Sequence, residues 1–282
     1  MTSTRVGIVV PVFNTDPAFL REAVASALAQ TVPVDLVLVD DCSTSEATVA
    51  ALADLAESTP ARLVRHATNQ GPGVALNSGI ESLDVPYVFA LGSDDRVEPT
   101  YAALAAAVLD ERAEVSIVTT NIQCFGASTQ VDSASGAPHG LVDMLFYNVV
   151  PGISVFRRSD WVATGGFANL RWFEDYDFWL RVLSRGGISV TLDKIQYHYR
   201  IHADQTTATT TWEDKLAQQL KIVRRNPDVW SSHIDVVMEQ FWRQQVELNY
   251  FKKRYGRFNE VKKSAIDRAL VVRSRLRKSA RR

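Results

Sequence analysis

Along the first 120 residues, short and almost unbroken apolar runs alternate with segments whose apolar positions recur every three or four residues. Residues 5–13 (RVGIVVPVF) are β-branched and nearly all apolar, which predicts a strand buried on both faces. Asp16 and Pro17 suit an N-cap and a first helical position, and Phe19, Leu20, Ala23, Val24, Ala27 and Leu28 follow at helical spacing. Residues 34–39 predict a second strand ending at Asp40 and Asp41, with Ser43 or Ser45 capping a helix that runs to about Glu57. A short strand near 62–66, a Gly-rich loop and a helix over 74–82 come next. Residues 86–91 predict a strand running into Gly92-Ser93-Asp94-Asp95, Pro99 opens a helix to about Leu109, and 115–120 form one more strand.

Strands alternating with helices predict an α/β fold with a mostly parallel central sheet. In such sheets ligands sit beyond the carboxyl ends of the strands, where both acidic pairs fall. The pattern then loosens. Residues 126–140 read as a loop or small ribbon, 153–157 as a strand, 173–184 as an amphipathic helix, and 188–192 and 195–201 as two short strands. After the Thr-rich stretch at 206–211, residues 212–225, 229–254 and 258–280 read as helices, broken at Asn226-Pro227 and Gly256. The expected division is a domain over 1–211 and a helical C-terminal extension over 212–282.

Composition supports a folded chain with a substantial core: 46% hydrophobic and 22% charged residues in 282. Two cysteines, Cys42 and Cys124, make no disulfide framework. No signal-peptide pattern opens the chain and no apolar run reaches membrane-spanning length, so the expectation is a cytoplasmic protein, with peripheral contact on the inner face of the membrane open. The net charge of −1 conceals an asymmetry: residues 252–282 carry 13 Lys or Arg against Glu260 and Asp267. Such a block suits an anionic surface.

Four constellations carry chemistry. Asp40-Asp41 after a buried strand can accept hydrogen bonds from a base or a ribose, or can cap a turn. Asp94-Asp95 repel one another unless a cation is shared, and Mg²⁺ or Mn²⁺ prefers such oxygens; a capping turn is the alternative. Glu174, Asp175 and Asp177 at a helix start either complement the helix dipole or supply a general base. In Tyr197-His198-Tyr199-Arg200-Ile201-His202, alternation puts His198, Arg200 and His202 on one strand face, facing a diphosphate or metal, or solvent.

Taken in order, these segments resemble the family 2 glycosyltransferases, inverting enzymes of the GT-A fold. The matching residues run from Val6 to His202 and include VVPVFN (9–14), Ser26 with Gln30-Thr31, VLVDDCST (37–44), Asn69-Gln70-Gly71, Ala75-Leu76-Asn77-Ser78-Gly79, GSDD (92–95), GGF (165–167), EDYDFWLR (174–181) and YRIH (199–202). The resemblance implies a GT-A Rossmann-like domain with a nucleotide-sugar half at about 1–120 and an acceptor half at about 121–211. It implies that Pro11, Phe13, Asn14, Asp40, Asp41, Asn69, Gly71, Asn77 and Asp94 bind the nucleotide, with Asp41 reading the base. It makes Asp95, Asp94 and His202 ligands of a divalent metal (Mn²⁺ or Mg²⁺), Asp175 the general base and Glu174 its assistant. Gly92 departs from the pattern, since many relatives have Asp there. The implied reaction is direct displacement from a nucleotide-sugar donor, a UDP-sugar favoured, onto a carbohydrate or lipid-linked acceptor, in cell-surface polysaccharide, cell-wall or glycolipid synthesis.

The acceptor pocket is expected from about 126–172, with Trp172, Arg171, Tyr147 and Asp143 as candidates. A nicotinamide dehydrogenase is excluded, because Pro11-Val12-Phe13-Asn14 stands where G-x-G-x-x-G belongs. A non-catalytic nucleotide- or sugar-binding relative is the alternative. Nucleic acid is not expected, since the basic tail has few aromatics beyond Phe251, Tyr255 and Phe258. Val261, Ala265, Ala269, Val272 and Leu276 recur on one helical face beside Lys and Arg, which suits peripheral membrane contact. Long C-terminal helices also suit a homodimer.

Overall fold

The computed structural model describes residues 4–132, 138–202, 211–250 and Arg254. Strand β1 (Val6–Val12) lies buried between β2 (Val34–Asp40) and β4 (Tyr87–Ala90), parallel to both, and β3 (Arg62–Arg65) extends the parallel set beyond β2. Parallel neighbours need crossovers, supplied by α1 (Pro17–Leu28), α2 (Glu46–Ser58) and α3 (Pro72–Glu81). Asp16 caps α1, accepting from the Ala18 amide. Of the two candidate caps for α2, Ser45 accepts from Thr48 N, while the Ser43 hydroxyl takes the Asn14 amide. Helix α3 opens at Pro72, two residues earlier than its apolar spacing predicts, because Gly71 adopts φ +91° and turns the chain directly into Pro72.

The second part is built on β5 (Arg96–Val97), α4 (Tyr101–Glu111), β6 (Val115–Gly126), β7 (Val131–Asp132), α5 (Leu141–Met144), β8 (Val155–Arg157), α6 (Arg158–Thr164), α7 (Glu174–Leu183) and β9 (Ile188–Ile201). The sheet order is β3-β2-β1-β4-β8-β6-β9-β5, with β7 hairpinned onto β6. Strand β8 is antiparallel to both β4 and β6, so it joins two parallel sets within one sheet. The two strands expected at 188–192 and 195–201 are one. A bulge at Asp193-Lys194 shifts its register against β6, and the Thr120 hydroxyl donates to the Lys194 carbonyl at 2.6 Å across that kink. The core gathers Ile8, Val10, Leu36, Leu38 and Phe89 from the strands, with Leu20, Leu52 and Tyr101 from the helices.

Helices α8 (Trp212–Arg225) and α9 (Pro227–Ser231) follow, and a turn at 232–233 separates α9 from a helix over 234–250. The chain falls into two compact units, one ending at Trp230 and the other beginning at Ser231. Helix α8 therefore belongs to the first, where Gln218, Ile222 and Asn226 are buried. The expected helix at 258–280 and its basic apolar face lie outside the described residues. Among the described residues, no helix is long and apolar enough to cross a membrane.

Candidate active site

Past the end of β1, Asn14 sits at φ +54°, a region its short polar side chain tolerates. Its Oδ1 accepts from Thr44 N (2.7 Å) and Ser45 N (2.8 Å), stapling this loop to the one after β2. Phe13 beside it is half exposed. Pro11 lies past the last residue of β1 that pairs with β4, where its missing N–H interrupts no ladder on that side. Asp40 is buried and accepts from Ser43 N (2.8 Å), closing the turn.

Asp41 builds the neighbouring loop. Its buried carboxylate accepts from Gln70 N (2.9 Å) and Gly71 N (2.7 Å) and meets His66 Nδ1 at 2.7 Å, and His66 Nε2 lies 2.9 Å from Ser78 Oγ. Asn69 is exposed on that loop. Asn77, expected at the nucleotide, spends its amide elsewhere: Oδ1 accepts from Trp161 Nε1 (2.9 Å) and Phe167 N (2.8 Å), and Nδ2 donates to Phe167 O (2.9 Å). It joins α3 to the Gly165-Gly166-Phe167 turn. His66 has no flanking pattern that would have marked it.

After β4, the two acids diverge. Asp95 is buried, accepting from Tyr197 Oη at 2.8 Å and Arg200 N at 2.7 Å. Burial first, and the charge of Asp94 second, push its carboxyl up to about 7. Gly92 N donates in turn to Tyr197 Oη (3.0 Å), and a Cβ at Gly92 would lie 2.4 Å from Asp95 Oδ2. The Asp95 carboxylate thus fills the space that a side chain at 92 would need. Asp94 is the more accessible acid, with Oδ2 2.9 Å from His202 Nε2. Arg200 ties this corner together, donating to Asp94 O (2.6 Å) and Glu22 Oε2 (2.7 Å) while stacked between Phe19 and Phe125. His198 instead meets Glu98 at 2.6 Å.

The third acid pair opens α7, where Phe173 at φ +63° turns the chain into the helix. Burial, followed by the charge of Asp175, raises Glu174 to about 8. Burial also raises Asp175, against the opposing effect of hydrogen bonds from Tyr176 N (2.7 Å) and Asn148 Nδ2 (3.0 Å). Asn148 lies in a segment without sequence pattern and was not anticipated. Gly73, in the first turn of α3, comes so close to α7 that a Cβ there would sit 2.4 Å from Ala168 O and 3.4 Å from Glu174 Cβ. The loop held by Asp41 and the Glu174-Asp175 pair are therefore joined through one helical turn. Among the acceptor candidates, Arg171 stacks on Trp172 at 4.5 Å and Tyr147, next to Asn148, is 63% exposed.

The donor set suits a divalent cation at Asp94 and His202. A carboxylate oxygen and an imidazole nitrogen converge there, and such ions commonly complete their shell with substrate phosphates and water. Asp95, expected as a ligand, has each oxygen engaged by a protein donor. Among the described residues no cluster of three or more His, Cys, Asp or Glu could hold a metal on its own.

A mixed, mostly parallel sheet with acids beyond its strand ends defines the GT-A class of α/β fold. The model for glycosyl transferase family 2 matches residues 7–161, more than half of the chain, and the chain belongs to that family. An uncharacterized protein of Sinorhizobium fredii is 31% identical over 64% of this chain, which spans 20% of that protein. The amylovoran biosynthesis glycosyltransferase AmsE of Erwinia amylovora is 24% identical over 73% of this chain and 79% of its own. Among solved structures, TarS of S. aureus with UDP-GlcNAc superposes with a TM-score of 0.64 at 19% identity, covering 74% of this chain and 62% of that one.

Proposed function

We propose that the chain transfers a sugar, with inversion, from a UDP-sugar to a hydroxyl of a carbohydrate or lipid-linked acceptor. The observation that carries this reading is the Glu174-Asp175 pair. Two neighbouring carboxyls of raised proton affinity, one held by Asn148, sit against the helix that follows the Asp41 loop. A carboxylate with raised affinity is a competent base for a hydroxyl proton. Asp175 takes that proton as the acceptor oxygen attacks the anomeric carbon, and Glu174 holds or shares it. Phe13, Asn14 and the loop at 69–71 receive the nucleoside, with Asp40 and Asp41 setting the loops that do so. Asp94 and His202 would hold a divalent cation, which when bound would offset the charge of the departing diphosphate. The halves divide at about residue 120, donor before and acceptor after. TarS, crystallised with UDP and with UDP-GlcNAc, and AmsE, named for amylovoran biosynthesis, favour a UDP donor and a polysaccharide setting.

Calorimetric titration of UDP, dTDP, GDP and ADP, with and without Mn²⁺, tests the donor site. Metal-dependent binding of UDP, weakened in Asp94→Ala, is the expected result. No binding of any of the four to folded protein would reduce the chain to a degenerate relative.

A further inference from the structure

Asp177 lies two residues beyond the acid pair and is fully buried. Its Oδ2 accepts from Arg181 Nε (3.0 Å) and Nη2 (2.9 Å), and its Oδ1 from Asn226 Nδ2 (2.9 Å) and Arg225 Nε (3.3 Å). Arg181 donates onward to the carbonyls of Thr164 (2.6 Å) and Gly166 (2.7 Å). Asn226 itself is buried at the C-cap of α8 and donates to Ile222 O at 2.9 Å. One carboxylate thus joins three segments: the first turn of α7, the Gly165-Gly166 turn and the end of α8. A buried charge held this way is costly to leave half paired, because the remaining oxygen has no water to turn to.

The consequence concerns α7 as a rigid body. Glu174 and Asp175 occupy the same helical turn as Asp177, whose own amide donates to Phe173 O at 3.1 Å. Whatever fixes the Asp177 carboxylate therefore fixes the rotation and depth of the two acids. We propose that Arg225 and Asn226 of α8 are positioning residues for the Glu174-Asp175 pair, acting through Asp177. Helix α8 is on this account a support of the reacting site and not an appendage. The proposal rests on the reading of that pair as the reacting acids.

The test is Asn226→Ala in the full chain, with Leu109→Ala as a control that loosens a buried position on α4, outside the Asp177 hydrogen-bond set. Hydrogen exchange read by mass spectrometry reports on α7 whether or not the donor reading holds. Amides 174–178 are expected to exchange several-fold faster in Asn226→Ala than in Leu109→Ala at matched loss of thermal stability, with β1 and β4 unchanged in their difference. Steady-state transfer should show kcat lower by roughly tenfold or more with donor KM unchanged, because a small displacement of a reacting group costs rate and leaves binding alone. Exchange at 174–178 no faster than in the control would overturn the proposal, as would a kcat loss shared by Leu109→Ala. Faster exchange at 174–178 in a protein that binds no nucleotide would uphold the coupling and sink the transferase reading instead.

Discussion

Asp95 is buried and Asp175 only partly so, and both carboxyls have raised proton affinity. Asp95 is enclosed by Tyr197 and the Arg200 amide, donors from a single strand. Asp175 has Asn148 on one oxygen, the Tyr176 amide on the other, and its neighbour Glu174 as a second acid of raised affinity. Because the base must be ionised to accept a proton, kcat is expected to rise with pH as the raised Asp175 carboxyl ionises beside Glu174. Stability has the opposite sign. Carboxyls whose folded values lie above their ordinary ones favour the folded state at low pH, and that contribution is lost as pH rises through about 8. Asp175→Asn should lower kcat by roughly 100-fold to 10,000-fold, the usual worth of a general base, with UDP affinity retained. A pH profile of kcat beside a UDP titration checks both, and an Asp175→Asn enzyme of normal rate would remove Asp175 from the mechanism.

At the scale of elements, the contact between α3 and α7 decides whether donor loop and acids share one site. Gly73 permits it, since any side chain there would strike the Ala168 carbonyl, a backbone atom that cannot rotate away. Gly73→Ala is therefore expected to cost about 1–3 kcal/mol of stability, as overpacking does. It should also reduce transfer more than nucleotide binding, because the loop at 69–71 stays tied to Asp41. Thermal denaturation with a UDP titration reads the two effects separately. Helix and strand positions were largely legible in the sequence, because buried runs and amphipathic periods are local. Helix α6 and the fusion of two expected strands into β9 were not. A seven-residue helix carries too little periodicity, and the Asp193-Lys194 bulge resembles a chain break until β6 pairs across it.

For the whole molecule, the division after Trp230 and the burial of Ile222 and Asn226 place α8 with the sheet-bearing unit. The Thr-rich stretch at 206–211 suggests an earlier boundary. A chain ending at Trp230 is expected to melt cooperatively near the full-length temperature. One ending at 211 loses both α8 donors to Asp177 and the burial of Ile222, and is expected to melt at least several degrees lower, since a fully buried aliphatic side chain alone contributes about 1.5–3 kcal/mol. Equal melting of the two would make α8 dispensable to the fold.

The sequence by itself determined the class of fold, the strand ends at which the acids stand, and the family. Each of these rests on short-range pattern: β-branched runs, capping residues and motifs of a few adjacent positions. Only the tertiary structure decided how each acid is held. Asp94 is accessible and Asp95 enclosed because β9 returns beside the Gly92 loop with Tyr197 inward, a meeting of residues about a hundred positions apart. Asn77 serves the Gly165-Gly166-Phe167 turn, Asn148 reaches Asp175, and Arg225 and Asn226 reach Asp177 for the same reason. Hydrogen-bond partners distant in the chain leave no periodicity behind, and the packing of the sheet and its helices brings them together.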